Sequence, residues 1–266
     1  MGQFSRPEGN SSSNTFNQLI DEWGKKASIC TFYFQGEPFI HPQIYDYIKT
    51  AHTAGLYTIS SSNGHFFNAQ GVERLAESGL SKLIISVDGI SEESYLKYRV
   101  GGDFGKVLNG LLNLSEARLN GSLKTIIVLQ FIVFSHNEHE LDMLPTFLDG
   151  FPGVDFYVTK TAQVYGADLE SYSRLPRNQK YNRYMRPAPE KGCSRMERGA
   201  VVTWDGKVLP CCFDKDGDNA FGNGNEHGFS KTWSNKRSKV FRRSVRRSRI
   251  NNAICSNCSE GRKVFV

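Results

Sequence analysis

Five short apolar runs separated by helical patterns leave this chain few ways to fold. Segments 29–35 (ICTFYFQ), 56–62 (LYTISSS), 82–88 (KLIISVD), 124–134 (TIIVLQFIVFS) and 154–160 (VDFYVTK) are rich in β-branched and aromatic residues and short of charge. Such runs read as buried strands. Between them apolar residues recur at helical spacing. Ile44, Tyr47, Ile48 and Ala51 form one stripe, with Pro42 placed to open the helix and Gly55 to close it. Val72, Leu75, Ala76 and Gly79 form a second, and Leu108, Leu111 and Leu112 mark the core side of a longer helix beginning near Phe104. Asn137, with Glu140 three residues on, has the pattern of a capping box ahead of Leu141 and Leu144. Strand–helix alternation implies parallel strands joined by crossovers, an α/β architecture. Ligand chemistry in such folds gathers at the C-terminal ends of the strands.

Polar residues at three successive strand ends therefore carry information: Gln35-Gly36-Glu37-Pro38, Ser61-Ser62-Asn63-Gly64, and Ser86 with Asp88. Each alone is ordinary turn chemistry. Three on one rim point to a binding site. Segment 14–26 (TFNQLIDEWGKKA) reads as a helix with an apolar stripe of Phe16, Leu19, Ile20 and Trp23, and no strand precedes it.

With 39% hydrophobic and 23% charged residues, the chain has an ordinary globular composition. No stretch approaches the roughly 18 uncharged apolar residues of a membrane span. The opening MGQFSRPEGNSSSN is polar and shows no signal-peptide pattern; no membrane partner is expected, and cluster chemistry of the kind weighed below suits a reducing cytoplasm. The net charge of +6 is concentrated in residues 236–249, KRSKVFRRSVRRSR, with eight Lys or Arg and no acid. Val240, Phe241 and Val245 fall at helical spacing there, so the run reads as a packed helix with a basic outer face. A phosphate-bearing partner is the second reading, and nucleic acid is not the expected one.

Cys30 lies alone in the first apolar run, while Cys193, Cys211, Cys212, Cys255 and Cys258 fall in the last third. Asp205-Gly206 between two short β-like runs signals a hairpin, which Cys193 and Cys211 bracket with 17 residues between them. Cys255-Ser-Asn-Cys258 is a C-x2-C knuckle. Four thiolates from a hairpin and a knuckle suit tetrahedral zinc or a four-iron cluster, and spacing does not choose between them. Cys212 is the spare thiol, because consecutive residues of an extended segment point to opposite faces. Cys30 is expected to pack as a small hydrophobe; His136 and His139 read as loop and cap residues.

In this order the motifs resemble the radical S-adenosylmethionine (SAM) superfamily, and within it members with a C-terminal SPASM or twitch domain. Gln35-Gly36-Glu37-Pro38 is similar to the family's GGEP motif, Ser61-Ser62-Asn63-Gly64 to its T-N-G turn, and residues 84–111 to the segment around its fourth barrel strand. The C-x17-C-C…C-x2-C series resembles a single-cluster twitch-type domain. The resemblance implies a partial (β/α)6 TIM-like barrel over 1–160, lacking its first strand, then a connecting segment over 161–190. A small Cys-rich domain of hairpin plus helix follows over 191–266. It implies SAM at the rim, with Gly36, Glu37 and Pro38 serving its amino group, Asn63 contacting the same ligand, Ser86 and Asp88 at the ribose, and Arg99 at the methionine carboxylate. An auxiliary [4Fe-4S] cluster is implied on Cys193, Cys211, Cys255 and Cys258, with Asp214 as a proton acceptor. The family's C-x3-C-x2-C loop does not occur in the sequence, and a chain that begins one strand late is the expected cause. The implied activity is hydrogen abstraction by a 5′-deoxyadenosyl radical, modifying a sugar, aminocyclitol or peptide substrate with flavodoxin or ferredoxin as electron donor. A non-catalytic relative keeping one metal site remains open, as does a zinc-stapled nucleic-acid binder using residues 236–249.

Overall fold

The structure, a computed structural model, describes residues 5–164, 173–185, 189–256, 258 and 260. Contacts divide the chain into two units, Met1–Ser28 with Arg186–Arg262 and Ile29–Met185. The first helix, α1 (Ser13–Trp23), thus groups with the C-terminal residues, which differs from the expected division at 160 and 190. No helix among the described residues is long and apolar enough to cross a membrane.

The larger unit is a five-stranded parallel sheet in sequential order: β1 (Ile29–Thr31), β2 (Tyr57–Ser62), β3 (Lys82–Ser86), β4 (Ile126–Val133) and β5 (Phe156–Thr161). All five anticipated strands form, in the order expected of a partial (β/α) barrel. Helices α2 (Ile44–Thr53), α3 (Ala69–Ser78), α4 (Glu92–Tyr98), α5 (Phe104–Leu119) and α6 (Leu144–Asp149) lie between them in sequence. The helices are punctuated by side chains that satisfy free N–H groups: Asn68 caps α3, Ser91 caps α4 and Asp103 caps α5, while Gly79 closes α3 in the left-handed conformation.

Register separates the two faces of this sheet. Ser60, Leu83 and Ile127 are paired across β2–β4, as are Ser62, Ile85 and Leu129. Leu83, Ile85, Ile127 and Leu129 join Ile48, Leu75, Leu111 and Leu114 from the helices in the main core. On the opposite face the rows are Ser61–Ile84–Val128–Phe156 and Ser86–Gln130–Val158. That second face is more polar, and none of these residues joins the main core cluster, although Val128 is itself buried. Gly110 lets α5 approach closely, since a Cβ there would lie 2.6 Å from the carbonyl oxygen of Gly64.

One local expectation fails. Residues 138–143 form a 3-10 helix whose N-cap, Asn137, makes no side-chain cap bond. Its amide is spent instead on the strand ends, accepting from the Phe134 N–H and donating to the carbonyls of Asp88 and Ile132.

The smaller unit holds an antiparallel sheet of β6 (Val201–Val202), β7 (Lys207–Leu209) and β8 (Gly222–Asn223). The expected hairpin pairs Val202 with Val208 around a turn where Gly206 takes φ +83°. After α7 (Ser194–Arg198), α8 (Gly224–His227) and α9 (Phe229–Ser234) comes α10 (Lys236–Arg247), capped by Asn235 through the Ser238 N–H. The core is Val208, Phe221 and Phe229, with Leu19 and Trp23 of α1 packed against it. Glu22 of α1 accepts from the N–H groups of Phe229 and Ser230 at the start of α9. The basic helix forms, with one revision of its faces. Val240 points out, 60% exposed, whereas Arg242 and, just beyond the helix, Arg249 are buried. Arg242 lies 3.6 Å over the Trp233 ring, which supports its charge in an apolar setting.

Candidate functional site

Chemistry-bearing residues collect in two places, one in each unit. The first is the rim where β1–β4 end. Gly36 adopts φ +81°, and a Cβ there would meet nothing within 4 Å, so the backbone is presented to open space. Glu37 follows and caps a 3-10 turn, Pro38–Ile40. One carboxylate oxygen accepts from the Phe39 N–H at 3.1 Å, the other from the Asn63 N–H at 2.7 Å just past β2. Burial pushes the Glu37 carboxyl above its ordinary range, against the pull of the Asn63 and Phe39 N–H groups, the Ser62 hydroxyl and the Arg99 charge. The Asn63 side chain accepts from the His65 N–H.

Asp88 is fully buried two residues past β3. Its Oδ2 accepts from Nε and Nη2 of Arg99, and its Oδ1 accepts from the Ile132 N–H at 2.8 Å. The carboxylate thus grips Arg99. Arg99 keeps Nη1 without a partner among the described residues, and its side chain is 19% exposed. Around this pair the loop is braced by Asn137 and by Glu140, whose carboxylate accepts from the Ile90 N–H and the Ser91 hydroxyl. Ser86 is buried at the end of β3 beside its register partner Gln130. Neither side chain holds a hydrogen bond among the described residues. Gln130 was missed by sequence reasoning. Its signal is the single polar residue interrupting Ile126–Val133.

The second place is a cavity in the smaller unit, lined by Cys193, Cys211, Cys255 and Cys258 with Arg249, Phe241 and Val245 among their neighbours. Burial raises the Cys211 thiol strongly and the Cys255 thiol to about 11. Burial also raises Cys258, opposed by the Glu260 N–H, which donates to its Sγ at 3.2 Å, and by the Arg249 charge. Among the described residues, no three His, Cys, Asp or Glu side chains are yet gathered tightly enough to hold a single metal ion. One buried and three half-buried thiols beside the buried Arg249 guanidinium are a donor set of the kind an iron–sulfur cluster takes: each thiolate would ligate iron, and the arginine would offset the accumulating negative charge. The residues present fit the group.

Cys212 and Cys30 do not line this cavity. Cys30 lies in β1 in register with Thr58, on the helix-covered side of the sheet, and burial pushes its thiol up to about 12. Asp214 is buried, accepts from the N–H and side-chain amide of Asn219, and does not line this cavity. Arg249 is the second residue sequence reasoning missed, hidden in a run of arginines that reads as solvated.

Comparisons with known proteins match two stretches of the chain. Residues 6–144 match the radical SAM superfamily, just over half of the chain. Residues 193–259 match SPASM, an iron-sulfur cluster-binding domain. An AdoMet-dependent heme synthase of Methanosarcina barkeri is 26% identical over 122 residues, 46% of this chain and 35% of that protein. The chain thus matches about a third of that relative's length. A tungsten-containing aldehyde ferredoxin oxidoreductase cofactor-modifying protein of Pyrococcus furiosus is 23% identical over 272 residues, covering 88% of this chain and 76% of its own. The crystal structure of BtrN in complex with AdoMet and 2-DOIA shares the fold, with a TM-score of 0.59 and 18% identity over 97% of this chain and 83% of that one.

Proposed function

Because this chain belongs to the radical SAM superfamily, we propose that it supplies the SAM-binding rim and an auxiliary iron–sulfur domain of an enzyme that oxidises or modifies a small-molecule or peptide substrate. The observation that most supports this is charge placement on the rim. Glu37 is an anchored anion, and Arg99 is a cation held by Asp88 with Nη1 to spare. The methionine end of SAM carries an ammonium and a carboxylate. An anion and a cation, each fixed by its own protein partners and electrically coupled to the other, match that pair.

Each rim residue then has a task. The Gly36 backbone and the Glu37 carboxylate accept from the ammonium, with Pro38 fixing the turn that aims them. Arg99 donates to the carboxylate, and Asp88 holds the guanidinium in place. Ser86 and Gln130, register partners with unengaged polar ends, offer donor and acceptor groups to the ribose. The Asn63 amide, past the Glu37 contact, faces the same ligand. Cys193, Cys211, Cys255 and Cys258 hold the auxiliary [4Fe-4S] cluster. SAM and iron–sulfur chemistry together supply hydrogen-atom abstraction from carbon; the protein supplies position and electrostatics.

The test is binding and metal content on the 266-residue chain. Anaerobic reconstitution is expected to give about four irons and four sulfides per chain, and SAM is expected to bind saturably and to be lost in Arg99→Ala. Zinc in place of iron, or SAM affinity indifferent to Arg99, would sink the reading.

A further inference from the structure

Helix α10 has two faces. Inward, Phe241 and Val245 line the cysteine cavity. At about 100° per residue, Lys236, Lys239, Arg243 and Arg247 fall on the other side, and all four are exposed. None of them holds a carboxylate among the described residues, unlike Arg246, which is tied to Glu197 at 2.6 Å. Exposed Val240 sits within this stripe, and Ile250, 77% exposed, lies just beyond it. No acidic residue occurs from 236 to 249.

We propose that this outer face of α10 docks an acidic one-electron carrier, a flavoprotein or ferredoxin with carboxylates around its redox centre. The inference rests on the cluster reading of the four cysteines. Three features favour such a partner over a nucleic acid. The cations surround an apolar side chain, the anatomy of a protein contact with a polar rim. The stripe is four cations long, a small patch suited to steering a transient encounter. The same helix walls the cavity, so a carrier seated outside sits about one helix diameter, roughly 10 Å, from the thiols. The exchange is one electron: the carrier's reduced centre loses it and the cluster gains it, or the reverse, with no bond broken and no proton moved.

The experiment uses the reconstituted full chain and a reduced acidic flavodoxin as probe, with dithionite as a small reductant that needs no docking. Lys236→Glu, Lys239→Glu and Arg243→Glu are combined in one variant. The expected result is a drop of about tenfold or more in the second-order rate of reduction by flavodoxin at low salt. That gap should close near 0.5 M salt as screening takes over, and the dithionite rate and the cluster spectrum should stay unchanged. Calorimetric binding of oxidised flavodoxin should weaken in parallel. Equal flavodoxin rates for both proteins, with the cluster present, would overturn the docking face alone. Tighter binding of duplex DNA than of flavodoxin, lost in the same variant, would overturn it in favour of nucleic acid. A chain that takes up no iron overturns the cluster reading and this inference with it.

Discussion

The rim of the sheet and the cysteine cavity solve the same problem, burying polar chemistry, in opposite ways. At the rim the buried groups already have protein partners: Glu37 with two N–H groups, Asp88 with Arg99 and Ile132, Asn137 with three backbone groups, Glu140 with Ile90 and Ser91. A site of that kind is organised before its ligand arrives. The cavity instead gathers half-buried to buried thiols, and burial opposes the ionisation of Cys211, Cys255 and Cys258, with the Glu260 N–H and the Arg249 guanidinium to offset it at Cys258. On the proposed reading, a metal group supplies the stabilisation that the cavity lacks. The difference teaches where each unit would keep its order: the rim in its hydrogen bonds and, on the proposed reading, the cavity in its cofactor.

The comparison breaks most sharply at the cysteines. Cys211→Ser or Cys255→Ser is expected to abolish cluster assembly, read as iron and sulfide per chain. Chelation should lower the melting transition of the smaller unit while leaving that of the sheet unit in place, read by calorimetry. If both units melt alike, the contrast is wrong.

The next largest effect belongs to the rim's ion pair. Asp88→Asn leaves a largely buried guanidinium without its counter-charge and is expected to cost about 3 kcal/mol in a denaturant titration, with SAM affinity falling as Arg99 loses its hold. Asn137→Ala removes one acceptor and two donations among buried backbone groups, an expected loss of about 2 kcal/mol. It should leave the iron content untouched.

The smallest effect sharpens the charge argument. Glu37→Gln keeps the shape and an acceptor but loses the charge, so SAM affinity should fall about tenfold, the difference between a charge-assisted and a neutral bond. Burial raises the Glu37 carboxyl, so acidification protonates it before an ordinary glutamate. Wild-type SAM affinity is therefore expected to decline as pH falls through that raised value, at a higher pH than an unperturbed carboxylate would show, and Glu37→Gln should lack this step. An identical decline in both proteins would remove the carboxylate from the site.

Much of this was legible before any coordinates. The five strands and the start of α5 at Phe104 follow from apolar periodicity and turn residues, which act locally. The Asp205-Gly206 hairpin formed for the same reason. The Asn137–Glu140 pattern did not become a capping box, because buried carbonyls of Asp88 and Ile132 lay within reach of the amide and outcompeted the local bond. Val240 and Arg242 traded the sides suggested by hydropathy, since Trp233 offers the guanidinium a ring face and a carbonyl.

By itself the sequence determined the strand order, the polar strand ends and the pair of cysteine motifs, because spacing along the chain carries all three. Only the tertiary structure decided that Asp88 grips Arg99, that α1 packs with the C-terminal unit, and that four thiols separated by as many as 65 positions share one cavity with Arg249. Those outcomes depend on which distant groups meet in a space too dry to leave a charge or a donor alone, and no local pattern encodes that.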